Sequence, residues 1–240
     1  MWRVNFSNTL QTVLIYALPV LFAITVHEAA HGYVARYLGD PTAARLGRVT
    51  LNPFKHIDPV GTILMPLILY FATSGAFLFG YAKPVPVNFA GLRNPKRDMI
   101  WVAVAGPVTN LLLAFISAML LRGIIVFVNP AVSGSSMTMV VEPMVLMLAF
   151  SVYINLLLAI FNMIPLPPLD GGRVLSGLLP YRQAAALARI EPYGMIIIIA
   201  LVFFTNIFSY VILPFLNVGV RLLAGPQSDL VLGIPRLLMR

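Results

Sequence analysis

The chain has 240 residues, 60% of them hydrophobic and 10% charged, with a formal net charge of +8 and no cysteine. A soluble domain carries about 25% charged residues, so a soluble protein with a large water-facing domain is excluded, as are disulfides and thiolate metal sites. The positive charge falls in short tracts without interleaved aromatics, which argues against nucleic acid; in so apolar a chain, Lys and Arg mark cytoplasmic loops.

In chain order, Asn5, Ser7 and Asn8 offer N-caps for a first helix over 9–38, ending near Gly39-Asp40-Pro41. Its apolar run Leu10–Val26 leads directly into His27-Glu28-Ala-Ala-His31, so it reads as part of the mature protein and not as a cleavable signal. Positions i and i+4 share one helix face, so His27 and His31 can hold one metal ion, and Glu28 can serve as general base toward water. The bland alternative is a chance HExxH on a buried helix. Two imidazoles and a carboxylate at the end of an apolar run are nevertheless costly without a task.

Residues 41–58 are polar, and Arg48-Val-Thr-Leu-Asn52 alternates weakly, which predicts a short strand or hairpin-like stretch associated with the membrane. His56 reads as a loop histidine near the headgroups, with a substrate contact as the lesser alternative. Residues 60–79 are apolar but interrupted at Gly61, Pro66 and Thr73-Ser-Gly75, and residues 81–98 are basic. A middle helix is expected over 99–128, and a later helix with an Asp-Gly-Gly motif over 144–178. A C-terminal segment, 194–223, is long for one span and short for two.

Lys and Arg number one in 1–9, four in 36–58, four in 81–98, none in 129–143 and three in 173–192. The positive-inside rule places the three basic tracts in the cytoplasm and the first helix running inward. At about 1.5 Å per residue, His27 lies ~26 Å from Leu10, near the inner side. Both flanks of 60–79 are basic, so that segment is expected to be re-entrant, dipping into the membrane and returning. Irregular backbone at that depth needs protein or a water cavity beside it. With this parity Asp170 emerges at the level of His27; with a full crossing at 60–79 it would not.

A catalytic zinc keeps three protein ligands and an open position. Among the remaining acids, all but Asp58 and Asp170 sit in loops or at helix ends far from the inner pocket, and Asp170 is the candidate for the third, with a plain Leu-Asp-Gly-Gly turn as its alternative. Pro165, Pro167 and Pro168 stop the preceding helix, and Gly171-Gly172 permit unusual backbone angles beside it. Here the sequence resembles the site-2 proteases, zinc metalloproteases that cut substrates within the membrane. That family pairs HExxH on one transmembrane helix with Asn-x-x-Pro and Leu-Asp-Gly on a later one. The matching residues are His27 to His31, Asn162-Met-Ile-Pro165 and Leu169-Asp170-Gly171, with Gly106-Pro-Val-Thr-Asn110 between them.

The resemblance covers about residues 15–178 and describes a compact form without a PDZ or nucleotide-sensing domain. It implies an all-α polytopic membrane protein forming one membrane-embedded peptidase domain, 1–240, whose three core helices carry one Zn2+ on His27, His31 and Asp170. Glu28 would be the catalytic base. Asn110 and Asn162 would hold the substrate strand or the oxyanion, interhelical hydrogen bonding being their plain alternative. The implied partners are the lipid bilayer and a membrane-protein substrate with a transmembrane segment. The implied location is the plasma membrane, with the site toward the cytoplasm. A membrane metal transporter and a non-catalytic helix-binding protein are the competing readings. A transporter should carry repeats or several sites along a path, and a dead binder has no use for Glu28.

Overall fold

The computed structural model describes residues 9–72, 80, 82–127 and 135–238, so the N-cap candidates Asn5, Ser7 and Asn8 lie outside it. Three long helices carry the architecture: α1 (Thr9–Tyr37), α4 (Pro95–Phe127) and α5 (Ser135–Asn162). Between the first two lie the short α2 (Thr42–Arg45) and α3 (Met65–Ala72). After α5 come α6 (Asp170–Leu178), α7 (Tyr181–Ile190), α8 (Gly194–Phe204), α9 (Leu213–Ala224) and α10 (Ser228–Leu238). Five helices are long and apolar enough to cross a membrane, and the protein is a multi-pass membrane protein.

The long helices are apolar nearly all round, as expected where lipid and not water surrounds them. Phe22, Leu112, Phe115, Ile116 and Leu120 face outward. Small residues line the inner contacts: Ala114, Ala118 and Ala149 are fully buried and let α4 and α5 approach closely. Tyr16 of α1 meets Phe150 of α5 edge to face at 4.7 Å. α9 and α10 close this core with Leu216, Val220, Val231 and Ile234.

Cross-helix contacts fix the register. His31 meets Val102, Ala23 meets Asn110, Asn110 meets Asn155, and Ser117 meets Ser151. Rising numbers on α1 pair with falling numbers on α4, and the same holds for α4 and α5. Hence α1 is antiparallel to α4 and parallel to α5. The C-terminal end of α1, the N-terminal end of α4 and the C-terminal end of α5 gather at one end of the bundle.

The later helix, expected from 144, begins at Ser135, and the motif-bearing part after Asn162 is a separate helix, α6. Three further expectations change. The 41–58 stretch contains no strand, and the described residues contain none anywhere. Side-chain caps divert its backbone into helical turns: Asn52 Oδ1 accepts the Phe54 amide ahead of the turn Pro53–Lys55, and Asp58 Oδ1 accepts those of Val60 and Gly61. Pro53 and Pro59 also lack the amide a ladder needs. Next, 194–223 is not continuous, because α8 stops at Thr205-Asn206. The Thr205 hydroxyl donates back to the Leu201 carbonyl while accepting the Ile207 amide. Finally, the middle helix starts four residues early, at Pro95, because Asp98 Oδ2 accepts the Asn94 amide at 2.8 Å.

Candidate metal centre

α1 presents His27 and His31 one turn apart on its buried face, their rings edge to face at 4.7 Å. Asp170, the first residue of α6, comes to the same point from beyond α5. Three atoms converge there. His27 Nε2 and His31 Nε2 are 3.0 Å apart, and Asp170 Oδ2 lies 3.2 and 3.4 Å from them. These are the only three residues, among those described, grouped closely enough to hold a metal ion.

In the neutral rings the far nitrogens assign the tautomers. His27 Nδ1–H donates to Asn110 Oδ1 at 2.5 Å, and His31 Nδ1–H donates to the Val102 carbonyl at 2.7 Å. Each Nε2 then carries a lone pair. Asp170 Oδ2 is buried without a hydrogen-bond partner. Two lone pairs and a carboxylate oxygen facing one another at such distances call for a cation between them. The triangle's sides also match the edge of a tetrahedron with bonds of about 2.0 Å, the length of Zn–N and Zn–O contacts. Gly106 keeps the space open, since a Cβ there would sit 2.5 Å from Nε2 of both histidines. The donor set fits zinc.

Asn110 is fully buried and fully engaged. Its amide nitrogen donates to Asn155 Oδ1 at 2.8 Å, and Asn155 Nδ2 in turn donates to the Ser151 carbonyl at 2.9 Å. Ser151 meets Ser117 at 2.8 Å. This polar chain runs between α4 and α5 and holds the Asn110 oxygen toward His27. Asn162 ends α5, half-buried, with its amide donating to the Leu158 carbonyl of its own helix. His56 is buried and bonded to the Thr50 carbonyl at 3.0 Å, so it ties a loop together.

Gly171 and Gly172 act through space and not through unusual angles. Neither has a positive φ, and both lie in helix α6. A Cβ on Gly171 would fall 2.3 Å from the Met163 carbonyl oxygen, and one on Gly172 2.3 Å from Pro167 N. Their bareness lets the Asp170 turn nest against the chain leaving α5. Glu28, half-buried, faces the 82–88 segment and accepts the Val85 amide on Oε2 at 2.7 Å. A cavity of 560 Å³ opens beside the HExxH turn, lined by Val26, Ala30, Tyr33, Leu51, Ala105 and Val108 among others.

Sequence reasoning missed Asn155 and Val85. Asn155, a polar residue within an apolar helix, was visible as an oddity. The Val85 contact is made by a main-chain group and leaves no signature.

The profile of peptidase family M50 matches residues 15–205. The chain is 41% identical over 204 residues to "Putative zinc metalloprotease YwhC" of Bacillus subtilis, covering 84% of this chain and 85% of that one. It is 28% identical over 183 residues to "Putative zinc metalloprotease Rip2" of Mycolicibacterium smegmatis and to its namesake in Mycobacterium tuberculosis. Those alignments cover 75% of this chain and 63% of each Rip2 protein. No solved structure matches. The chain belongs to peptidase family M50, the family of the site-2 proteases, and is a metalloprotease by that membership.

Proposed function

We propose that the protein is a zinc endopeptidase that hydrolyses peptide bonds of transmembrane segments, with Glu28 as general base. The observation that carries this reading is the meeting of His27, His31 and Asp170 in a buried triangle, with Glu28 one residue along the same apolar helix. When bound, zinc supplies Lewis acidity that polarises a carbonyl and lowers the pKa of water. The chain's own residues do the rest. Asn110 and Val102 hold the two imidazoles in the tautomer that leaves Nε2 free. Asp170 brings the negative charge that a divalent ion needs in an apolar setting. Glu28 takes a proton from the attacking water and returns it to the departing amine.

A transmembrane helix has its peptide groups locked in internal hydrogen bonds, so a substrate must unwind before it is cut. Residues 49–51 line the cavity together with α1 and α4, and they would receive an extended stretch there. Asn162, half-buried at the end of α5 with its side-chain N–H on the Leu158 carbonyl, is the remaining candidate for holding substrate. Asn110 is better placed to orient His27 than to touch a substrate. The basic tracts at 36–58, 81–98 and 173–192 support a cytoplasmic face for the site and residence in the cytoplasmic membrane. Among the described residues there is one metal-type cluster and no second along a path, which disfavours transport.

The test is purified protein in detergent with a panel of single-span substrates, with and without chelator, beside Glu28→Gln. The expected outcome is chelator-sensitive cleavage that Glu28→Gln lowers by at least about 100-fold, with bound zinc retained. Full cleavage by Glu28→Gln would overturn the reading.

A further inference from the structure

The segment Lys83-Pro84-Val85-Pro86-Val87-Asn88 has a composition that strips its amides. Pro84 and Pro86 have no N–H, so Val85 carries the only main-chain donor among residues 84–86. That one donor points at Glu28 Oε2, at 2.7 Å. The segment is pinned on both sides of the contact. The Lys83 amide donates to the His56 carbonyl at 2.9 Å, and Arg48 Nη2 donates to the Lys83 and Pro84 carbonyls at 2.8 and 3.4 Å. Beyond it, the Asn88 amide donates to Asp40 Oδ2 at 2.7 Å. Val85 is itself buried, and its Cγ1 lies 3.1 Å from where a Cβ on Gly32 would stand. A bare glycine on α1 therefore lets the segment lie close enough to reach Glu28.

We infer that Val85 is a positioning residue for the general base: its main-chain N–H holds Glu28 Oε2 and leaves Oε1 to carry the proton. This deepens the proposed function and rests on it. A carboxylate on a flexible two-carbon arm samples several rotamers. A charge-assisted hydrogen bond from a clamped backbone selects one of them, and catalysis by a general base depends on that alignment before anything else. Arg48 and His56 act one step further out, by fixing the strap that carries the donor. The alternating prolines have a stated use, since they keep the strap extended and prevent any neighbouring amide from competing for the carboxylate.

The test separates side chain from main chain. Val85→Ala keeps the N–H and loses packing. Val85→Pro loses the N–H in a segment that already holds two prolines. Replacement of Val85 by its α-hydroxy acid swaps N–H for O with the side chain intact. The probe is a quenched fluorescent single-span peptide that the wild type cleaves in the panel above. The expected result is a kcat within about 3-fold of wild type for Val85→Ala. For Val85→Pro and the ester variant, kcat should fall roughly 10- to 100-fold, with KM and bound zinc unchanged. The loss should vanish when each change is made on Glu28→Gln.

A second readout needs no turnover. Amide hydrogen exchange at Val85 should be protected in the wild type and at least about 10-fold faster in Glu28→Ala. Equal kcat in the ester variant and Val85→Ala, or equal exchange with and without the Glu28 carboxylate, overturns the inference. A wild type that cleaves no peptide in the panel counts against the proposed function instead, and the exchange measurement still decides the Val85 contact.

Discussion

At the scale of single residues, the proposed metal triangle depends on atoms outside it. His27 keeps Nε2 free because Asn110 occupies Nδ1, and Asn110 is oriented because Asn155 accepts its amide. Removing Asn155 as Asn155→Leu leaves the Asn110 NH2 only its longer contact to the Ala23 carbonyl at 3.4 Å, so Asn110 can turn and offer that NH2 to His27, the wrong partner for an Nδ1–H donor. Loss of such outer partners costs about 10- to 100-fold in metal affinity. We expect that loss for Asn155→Leu, read by chelator competition. A smaller loss should follow Ser151→Ala, whose carbonyl bond to Asn155 survives. Gly106→Ala is the steric counterpart. Its Cβ would collide with both Nε2 atoms at 2.5 Å, so zinc retention should fall at least as far as in Asn155→Leu. Retention of zinc at wild-type affinity in Gly106→Ala would mean that the rings relax around a methyl group.

At the scale of elements, what could be read from the chain depended on whether a signal was local. The i, i+4 pair on α1 and the proline-stopped turn before Asp170 are local, and both led to the triangle. The caps at Asn52 and Asp58 are also local, but the weak alternation at Arg48–Asn52 outweighed them, and helical turns stand where a hairpin was expected. The 194–223 run hid its break because one threonine and one asparagine barely alter an apolar average. Contacts such as Asn88 to Asp40 join residues 48 apart, and no spacing announces them. That link is open to a pH test. Burial alone would raise the Asp40 carboxyl. Hydrogen bonds from the Thr42 hydroxyl and the Thr42 and Asn88 amides, with the charge of Arg45, outweigh burial and hold it below the ordinary carboxylate range. A carboxyl lowered by folding stabilises the fold above its unfolded value of about 3.9 and stops doing so as pH falls through the folded value. Thermal midpoints in detergent should therefore drop as the pH is taken below about 4. Asp40→Asn should lose about 2 kcal/mol at neutral pH and show a shallower acid slope. An unchanged slope in that variant would remove Asp40 from the account.

At the scale of the whole molecule, the question is how two histidines early in the chain and an aspartate late in it reach one level of a bilayer. The antiparallel pairing of α1 with α4 requires the connection between them to begin and end on one face. Two hydrogen bonds bear on that. The Arg93 amide donates to the Leu38 carbonyl at 3.0 Å, and the Lys83 amide donates to the His56 carbonyl at 2.9 Å. Residues 57–82 thus leave from and return to nearly the same point. The described part of that excursion is helical from Pro59 to Ala72, and its backbone is irregular at the start, where Pro59–Leu64 forms a π-type turn and not an α-helix. We therefore expect a re-entrant excursion at 60–79, with both shoulders on the cytoplasmic face. The chain has no cysteine, so single cysteines at Lys55, Lys83 and Phe127 can be labelled without background. An impermeant thiol reagent applied to sealed inverted vesicles should modify positions 55 and 83 and spare 127. Applied to intact spheroplasts it should do the reverse. Labelling of 83 from the outside, with 55 still inside, would mean that 60–79 crosses, that α4 runs the other way, and that Asp170 cannot share an ion with His27 and His31.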